Sequence, residues 1–198
     1  MKAIFALIVL ALSPAAYSQM VLQADAAKLQ PQIGRDQAGF NSCGIRAVVL
    51  THRGKTVDTY DFSLMLFSKM YTGMLKAGKY QTSMKDFLAG KTDGPAYIPA
   101  PNKIWIAKEA EGAPLISKKI IPSETKGFTL ASTDFVKTLD VMTAMAAGER
   151  MQFAVRYKTE PYDVVLAFSA GLPEQEMTPL LTCTRSLIER MRQEIEAE

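Results

Sequence analysis

The sequence predicts a single domain of the α+β class, built on a mainly antiparallel twisted sheet with helices packed on one face. Several segments alternate apolar and polar residues with a period of two, the pattern of strands with one buried face. Few of these segments are separated by a helix long enough for a parallel crossover, which favours antiparallel pairing. The chain ends in an amphipathic helix, whose apolar stripe predicts that it docks on the sheet.

The N-terminus has the pattern of a bacterial signal peptide. Lys2 precedes an apolar run at residues 3–12, which is too short to span a membrane. Ala16 and Ser18 provide the small residues that a signal peptidase reads. We therefore expect cleavage after Ser18 and a periplasmic or secreted protein; an uncleaved N-terminal anchor is the alternative.

After the signal peptide, residues 1–18, we expect a peripheral arm at residues 19–42, in which residues 24–29 could form a short helix. Residues 43–198 then form the α+β domain. Lys and Arg together number 23 against 20 Asp and Glu, and removal of residues 1–18 takes away one lysine and no acid. This near balance argues against a dedicated nucleic-acid binder. No other run approaches the ~20 apolar residues of a spanning helix, so we expect no membrane span after cleavage.

The two cysteines, Cys43 and Cys183, predict a disulfide. An even number of cysteines in an oxidising compartment favours a bridge, the alternative being two buried thiols that act as small hydrophobic residues. A metal site is not predicted, because the chain has one histidine and no ligand pairs at metal-site spacing.

In the first half of the domain we expect two strands and a short helix. Residues 45–51 and residues 56–67 form the strands, joined by a turn at residues 52–55 in which Gly54 can take a positive φ. Residues 69–81 are ambiguous between a bend and a further strand. Ser83, with Thr82, can cap a short helix through Leu88.

Residues 90–102 hold three prolines and predict an extended loop. Residues 103–108 and residues 115–121 read as a second hairpin, followed by a short strand at residues 127–130. Ser132 and Thr133 are expected to cap the next helix, which ends at Gly148.

The last part of the chain predicts a hairpin, residues 151–158 with residues 164–168, and then the C-terminal helix. Thr178 is the expected N-cap and Pro179 the first helical residue. The apolar stripe that should face the core consists of Leu180, Cys183, Leu187, Met191 and Ile195.

Catalytic signals are weak. No Gly-x-Ser-x-Gly elbow is present, and the single histidine, His52, falls in a turn. Asp61 and Asp163 are the candidate catalytic residues, since pairing of their hairpins could bring the two carboxylates together as in a glycosidase. Strand carboxylates more often limit edge-to-edge pairing. The segments at residues 60–64 and 162–166 share Tyr, Asp and Leu at the same positions, which would fit two related halves, but chance is the better explanation for three identities between two strands.

The candidate binding surface is the proline-stiffened loop that presents Tyr97 and Ile98, together with Trp105. Rigid extended segments lose little conformational entropy on binding. Trp105 should point away from Ile104 and Ile106 on its strand, outside the main core. The alternative is a rigid connector with Trp105 packed under a helix.

These observations favour a non-enzymatic periplasmic or secreted binding protein, of the inhibitor, immunity or envelope-assembly type. Its partner would be another protein or an envelope component; no cofactor motif is present, and the oligomeric state is open. The alternative is a small cell-envelope hydrolase that uses paired carboxylates. A third hypothesis is a carrier of an apolar ligand in a pocket lined by Met and Phe. The methionines are dispersed along the chain, which favours core filling over copper(I) transport.

Overall fold

The computed structural model describes residues 19–37, 39–91, 96–116 and 119–197; the predicted signal peptide lies outside these residues. In these ranges the chain forms twelve strands and three helices. The strands are β1 (Gln19–Gln23), β2 (Ala26–Asp36), β3 (Gly39–Arg53), β4 (Thr56–Phe67), β5 (Thr72–Ser83), β6 (Ala96–Tyr97), β7 (Lys103–Lys108), β8 (Leu115–Ile116), β9 (Lys119–Pro122), β10 (Phe128–Asp134), β11 (Ala147–Arg156) and β12 (Asp163–Gly171). The helices are α1 (Met84–Leu88), α2 (Phe135–Ala146) and α3 (Glu174–Glu196).

The strands form two sheets where the sequence predicted one. Sheet A has the order β1-β12-β11-β7-β8, and sheet B has the order β2-β3-β4-β5-β10-β9, with β6 also paired to β5. The described pairs are antiparallel apart from β1 with β12. The α+β class is confirmed. The single sheet is wrong because alternation reveals that a strand face is buried without revealing what covers it.

The main core lies between the two sheets. Phe62 on β4 stacks against Phe153 on β11 with ring centroids 4.1 Å apart, and Phe168 on β12 meets Phe62 edge-on at 5.7 Å. All three rings are fully buried. Burying each ring stabilises the fold by about 2–3 kcal/mol, so this contact is a principal link between the sheets.

The segment predicted as a peripheral arm instead supplies an edge strand to each sheet. β1 pairs with β12, where Gln19 lies opposite Asp163, and β2 pairs with β3, where Leu29 lies opposite Ala47. The short helix predicted at residues 24–29 is therefore wrong. Alanine-rich composition favours a helix locally, but burial of Leu29 on the inner face of sheet B favours the strand.

The predicted second hairpin is divided between the sheets. Leu115–Ile116 pairs with β7 in sheet A, whereas Lys119–Pro122 pairs with β10 in sheet B. The chain therefore passes from one sheet to the other within the segment predicted as one strand.

The first two helices form near the predicted positions. Ser83 caps α1 as predicted, and its Oγ accepts a hydrogen bond from the Asp86 backbone N–H. Asp134 caps α2, in place of the predicted Ser132 and Thr133, because its carboxylate accepts from the Lys137 N–H.

The C-terminal helix is docked, as predicted, by a buried stripe of Leu180, Cys183 and Leu187. It begins at Glu174, so Pro179 lies inside the helix and the predicted start at Thr178 is wrong. Ile195, at the far end of the predicted stripe, is exposed.

The predicted disulfide is confirmed. Cys43 on β3 and Cys183 on α3 are both fully buried and bonded, with Cα atoms 5.9 Å apart. Cys43 shares the inner face of sheet B with Ile45 and Ala47, so the bridge holds α3 on the side where the core lies.

Candidate functional site

A groove of about 590 Å³ crosses the outer face of sheet B and is open to solvent. Its walls come from the strands of sheet B and from Thr125 in the turn between β9 and β10. The lining residues are Gln32, Ile33, Gly34, Ser42, Arg46, Asp61, Ser63, Met65, Met74, Lys76, Thr125 and Phe128.

Two glycines on the outer face of sheet B leave room for large side chains that line this groove. A Cβ on Gly44 would lie 2.2 Å from Met65 Sδ, and a Cβ on Gly78 would lie 2.6 Å from the Phe128 ring. Both distances are far inside van der Waals contact. The Met65 thioether and the Phe128 ring therefore lie flat over the backbone of the adjacent strands.

The charged groups of the groove follow from strand register. Arg46 on β3 lies opposite Ser63 on β4, and Ser63 lies opposite Lys76 on β5. The three side chains form one row across the outer face, with a cation on each side of a hydroxyl. In the adjacent row Asp61 lies opposite Gly78, and Gly78 lies opposite Phe128.

Arg46 and Asp61 form a two-point ion pair. Arg46 Nε donates to Asp61 Oδ1 at 2.9 Å, and Arg46 Nη2 donates to Asp61 Oδ2 at 2.6 Å. The Asp61 side chain is 10 % exposed and the Arg46 side chain 39 %. The hydrogen bonds to Asp61 raise the pKa of Arg46, so the guanidinium stays charged. A guanidinium has five N–H groups, and these two bonds leave the remainder for other acceptors.

Lys76 is held by a neutral partner and an aromatic ring. Its Nζ donates to Thr125 Oγ1 at 2.7 Å and lies 5.2 Å from the centroid of the Phe128 ring. Neither partner carries a charge. Because Asp61 balances Arg46, the three charged side chains that line the groove leave a net charge of +1, located at Lys76.

Asp61 and Asp163, the predicted catalytic pair, lie on the outer faces of different sheets. Asp163 accepts from Arg156 Nε at 2.6 Å, from Lys103 Nζ at 3.1 Å and from Trp105 Nε1 at 3.1 Å. Asp61 shares none of these partners. The structure therefore does not form the paired-carboxylate site that the sequence suggested.

Burial of the Asp163 carboxyl opposes ionisation. The hydrogen bonds from Trp105, Arg156 and Lys103 outweigh that effect and hold the pKa of Asp163 below its usual value of 3.8. An aspartate in this setting stays ionised at neutral pH, which suits an ion-pair role and not that of a general acid.

One member of the predicted binding surface, Trp105, is buried. Trp105 points away from Ile104 and Ile106, as predicted, but it is only 7 % exposed and packs with a separate small cluster on the outer face of sheet A. Tyr97 lies on β6, paired with β5 of sheet B, and Ile98 packs partly buried against the core. Trp105 therefore offers little surface to a partner.

A second polar cluster lies between the two sheets, near the start of β4 and the end of β11. Asp58 is almost fully buried, forms an ion pair with Lys79 at 2.8 Å and accepts from Gln81 Nε2 at 2.7 Å. Nearby, the buried Tyr157 hydroxyl has no hydrogen-bond partner among the described residues. Burial raises the pKa of Tyr157, so its hydroxyl stays protonated.

The described residues provide no group of three or more His, Cys, Asp or Glu that could hold a metal ion. His52 is exposed near the end of β3, where it pairs with Val57 and not in the predicted turn, and its Nδ1 lies 2.8 Å from Asp25 Oδ2. None of the helices in the described part of the chain is long and apolar enough to cross a membrane.

No local pattern in the sequence marks the groove residues Arg46, Ser63, Lys76 and Thr125. Alternation shows which side of its own strand each residue occupies. It does not give the register that aligns three strands, and that register is what creates the row.

Comparison with protein-family models, curated proteins and solved structures finds no significant match to the chain.

Proposed function

We propose that the protein is an exported, non-enzymatic binding protein that holds a segment of another protein or envelope component in the groove on sheet B. The observation that supports this most is the row of Arg46, Ser63 and Lys76 on an open sheet face, beside the half-buried side chains of Met65 and Met74. Polar groups fixed by their own hydrogen bonds next to adaptable apolar side chains are typical of recognition surfaces.

The groove suits binding better than hydrolysis. Among the described residues that line it, Asp61 is the only carboxylate, and both of its oxygens are engaged by Arg46. Hydrolysis by two acids needs a second carboxyl group within roughly 5–10 Å. Asp163 does not provide it, because it lies on the other sheet.

The open shape favours a macromolecular partner over a small molecule. Small-molecule sites generally enclose most of the ligand surface, whereas this groove is open to solvent. An open site gains affinity through an extended contact area, as protein interfaces do.

Export is supported by the disulfide and by the N-terminal sequence. A buried bridge suits an oxidising compartment. Cleavage after Ser18 would leave every described strand intact, since β1 begins at Gln19. Mass spectrometry of protein from its own compartment should give a chain that begins at Gln19; a retained residue 1–18 segment would contradict this part of the proposal.

The role of the groove in partner binding is tested by affinity capture from envelope extract. The immobilised proteins are the wild type, the Lys76→Glu variant and the Lys85→Glu variant. Lys85 lies in α1 and is exposed, so its reversal is a matched change of charge outside the groove. We expect the partner to be retained by wild type and by Lys85→Glu but lost from Lys76→Glu, with all three proteins melting at similar temperatures. Equal retention by all three would contradict a role for the groove.

A further inference from the structure

We propose that the groove recognises an acidic side chain within an extended peptide segment, with an apolar side chain two residues away. The carboxylate would lie over Ser63, between the cationic groups of Arg46 and Lys76, and the apolar side chain over Met65 and Met74. This inference rests on the proposed binding function and names the chemistry of the partner.

The positions of the two cations support an anionic ligand. Neighbouring strands lie about 4.8 Å apart, so the Cβ atoms of Arg46 and Lys76 are separated by roughly 10 Å across Ser63. Both side chains lean toward the same adjacent row, Arg46 to Asp61 and Lys76 to Phe128. A carboxylate between them can accept charge-assisted hydrogen bonds from both and from the Ser63 hydroxyl.

The charge balance favours an acid in spite of Asp61. Asp61 is already paired with Arg46 through two bonds, whereas Lys76 has a neutral hydroxyl partner. One added carboxylate therefore brings the net charge of the occupied groove to zero. A lysine or arginine in that position would add a second unbalanced cation.

The spacing of the rows matches an extended peptide. Ser63 and Met65 are two residues apart on β4, and Met65 lies opposite Met74. Residues two apart in any extended chain repeat at about 6.6–6.8 Å and point to the same side. A peptide that runs along the strands thus places one side chain over the polar row and the next on the same side over the thioethers.

Flexible thioethers accept apolar side chains of different shapes. The apolar position of the partner should therefore be tolerant, and the acidic position strict. This predicts specificity for charge at one residue with little discrimination among Leu, Met, Ile and Phe at the other.

The test uses biotinylated hexapeptide pools that contain two defined residues two positions apart, in either order, as Glu-x-Leu, Gln-x-Leu or Lys-x-Leu, with mixed neutral residues elsewhere. Binding to the full mature protein is measured by biolayer interferometry at low and moderate salt. We expect the Glu pool to bind about tenfold more tightly than the Gln pool, the scale of a charge-assisted hydrogen bond, and the Lys pool not to bind. The preference should weaken as salt rises.

Lys76→Gln should reduce the preference for Glu over Gln to about twofold or less, and Lys85→Gln should leave it unchanged. Equal binding of the Glu and Gln pools, or a Glu preference that survives Lys76→Gln, would overturn the inference. Binding to vesicles that contain phosphatidylglycerol, without binding to any pool, would also overturn it. The proposed function would survive these results if the Lys76→Glu variant still lost its captured partner, and both would fail if capture were unchanged as well.

Discussion

Asp163→Asn should destabilise the fold by about 3 kcal/mol. The carboxylate is 2 % exposed, and its two oxygens accept from Arg156 Nε, Lys103 Nζ and Trp105 Nε1. The amide of asparagine replaces one oxygen with a donor that faces donors, and it carries no charge to balance the two cations. Removing one member of a buried ion pair costs about 3–5 kcal/mol. The lower end applies here, because Lys103 is 37 % exposed and can turn toward water.

Urea unfolding followed by the fluorescence of Trp105, the single tryptophan of the chain, measures this loss. The pH dependence provides a second readout. Because the pKa of Asp163 is lower in the folded protein than its usual value of 3.8, its stabilising effect is complete above pH 3.8 and is lost as the pH falls below that value. The difference between wild type and Asp163→Asn should therefore be full at pH 7 and shrink in acid.

Asp140→Asn is the matched control, because its exposed carboxylate pairs with Lys108 at the surface. Surface pairs contribute about 0–1 kcal/mol, so this variant should unfold close to wild type. A loss of stability in Asp163→Asn no larger than that in Asp140→Asn, or an equal effect at pH 3 and pH 7, would show that the ionised Asp163 carboxylate does not stabilise the fold.

Three further predictions concern the interior. Replacing Cys43 and Cys183 by Ala should lower the melting temperature by about 10 °C in calorimetry, since a bridge across 140 residues contributes up to about 5 kcal/mol; a melting temperature equal to that of the wild type would rule out this contribution. Leu187→Asp should unfold the domain because it buries a charge at a fully buried site, whereas Ile188→Asp, at an exposed neighbour, should retain native circular dichroism. Native spectra for both would show that α3 is not docked. Tyr157→Phe should raise the free energy of unfolding by about 1 kcal/mol, since it removes a buried hydroxyl without a partner among the described residues; a loss of stability in urea would mean that the hydroxyl is satisfied.

Local patterns predicted much of the fold. The alternation of residues 56–67 gave β4 with its bounds and its buried face, and Ser83 marked the start of α1. Cys43 and Cys183 paired as their number and the predicted compartment suggested. Each of these features depends on neighbouring residues in the chain or on the number of cysteines, and both can be read from the sequence.

The predictions that were wrong concern features that depend on long-range geometry. Thr178 and Pro179 form a good helix start, yet α3 begins a turn earlier with Glu174 and Glu176 in its first turn, where acidic residues favour the helix dipole. Asp61 and Asp163 each occupy the outer side of a strand, as expected for polar residues. Alternation could not reveal that their strands belong to different sheets, and so the candidate pair was not formed.

The groove had no signal in the sequence for a related reason. Arg46, Ser63 and Lys76 are spread over thirty residues and become one row only through the registers of β3, β4 and β5. A single slip of one residue in either register would place one of the cations on the other face of the sheet.

Photo-crosslinking in intact cells shows whether the outer face of sheet B is the binding surface that we propose. A benzoylphenylalanine residue replaces Met74 in the groove or Val136 on α2, which is 71 % exposed and lies outside it. A discrete crosslinked adduct is expected from position 74 and none from position 136. An adduct from position 136 alone, or equal yields from the two positions, would show that the partner does not bind in the groove.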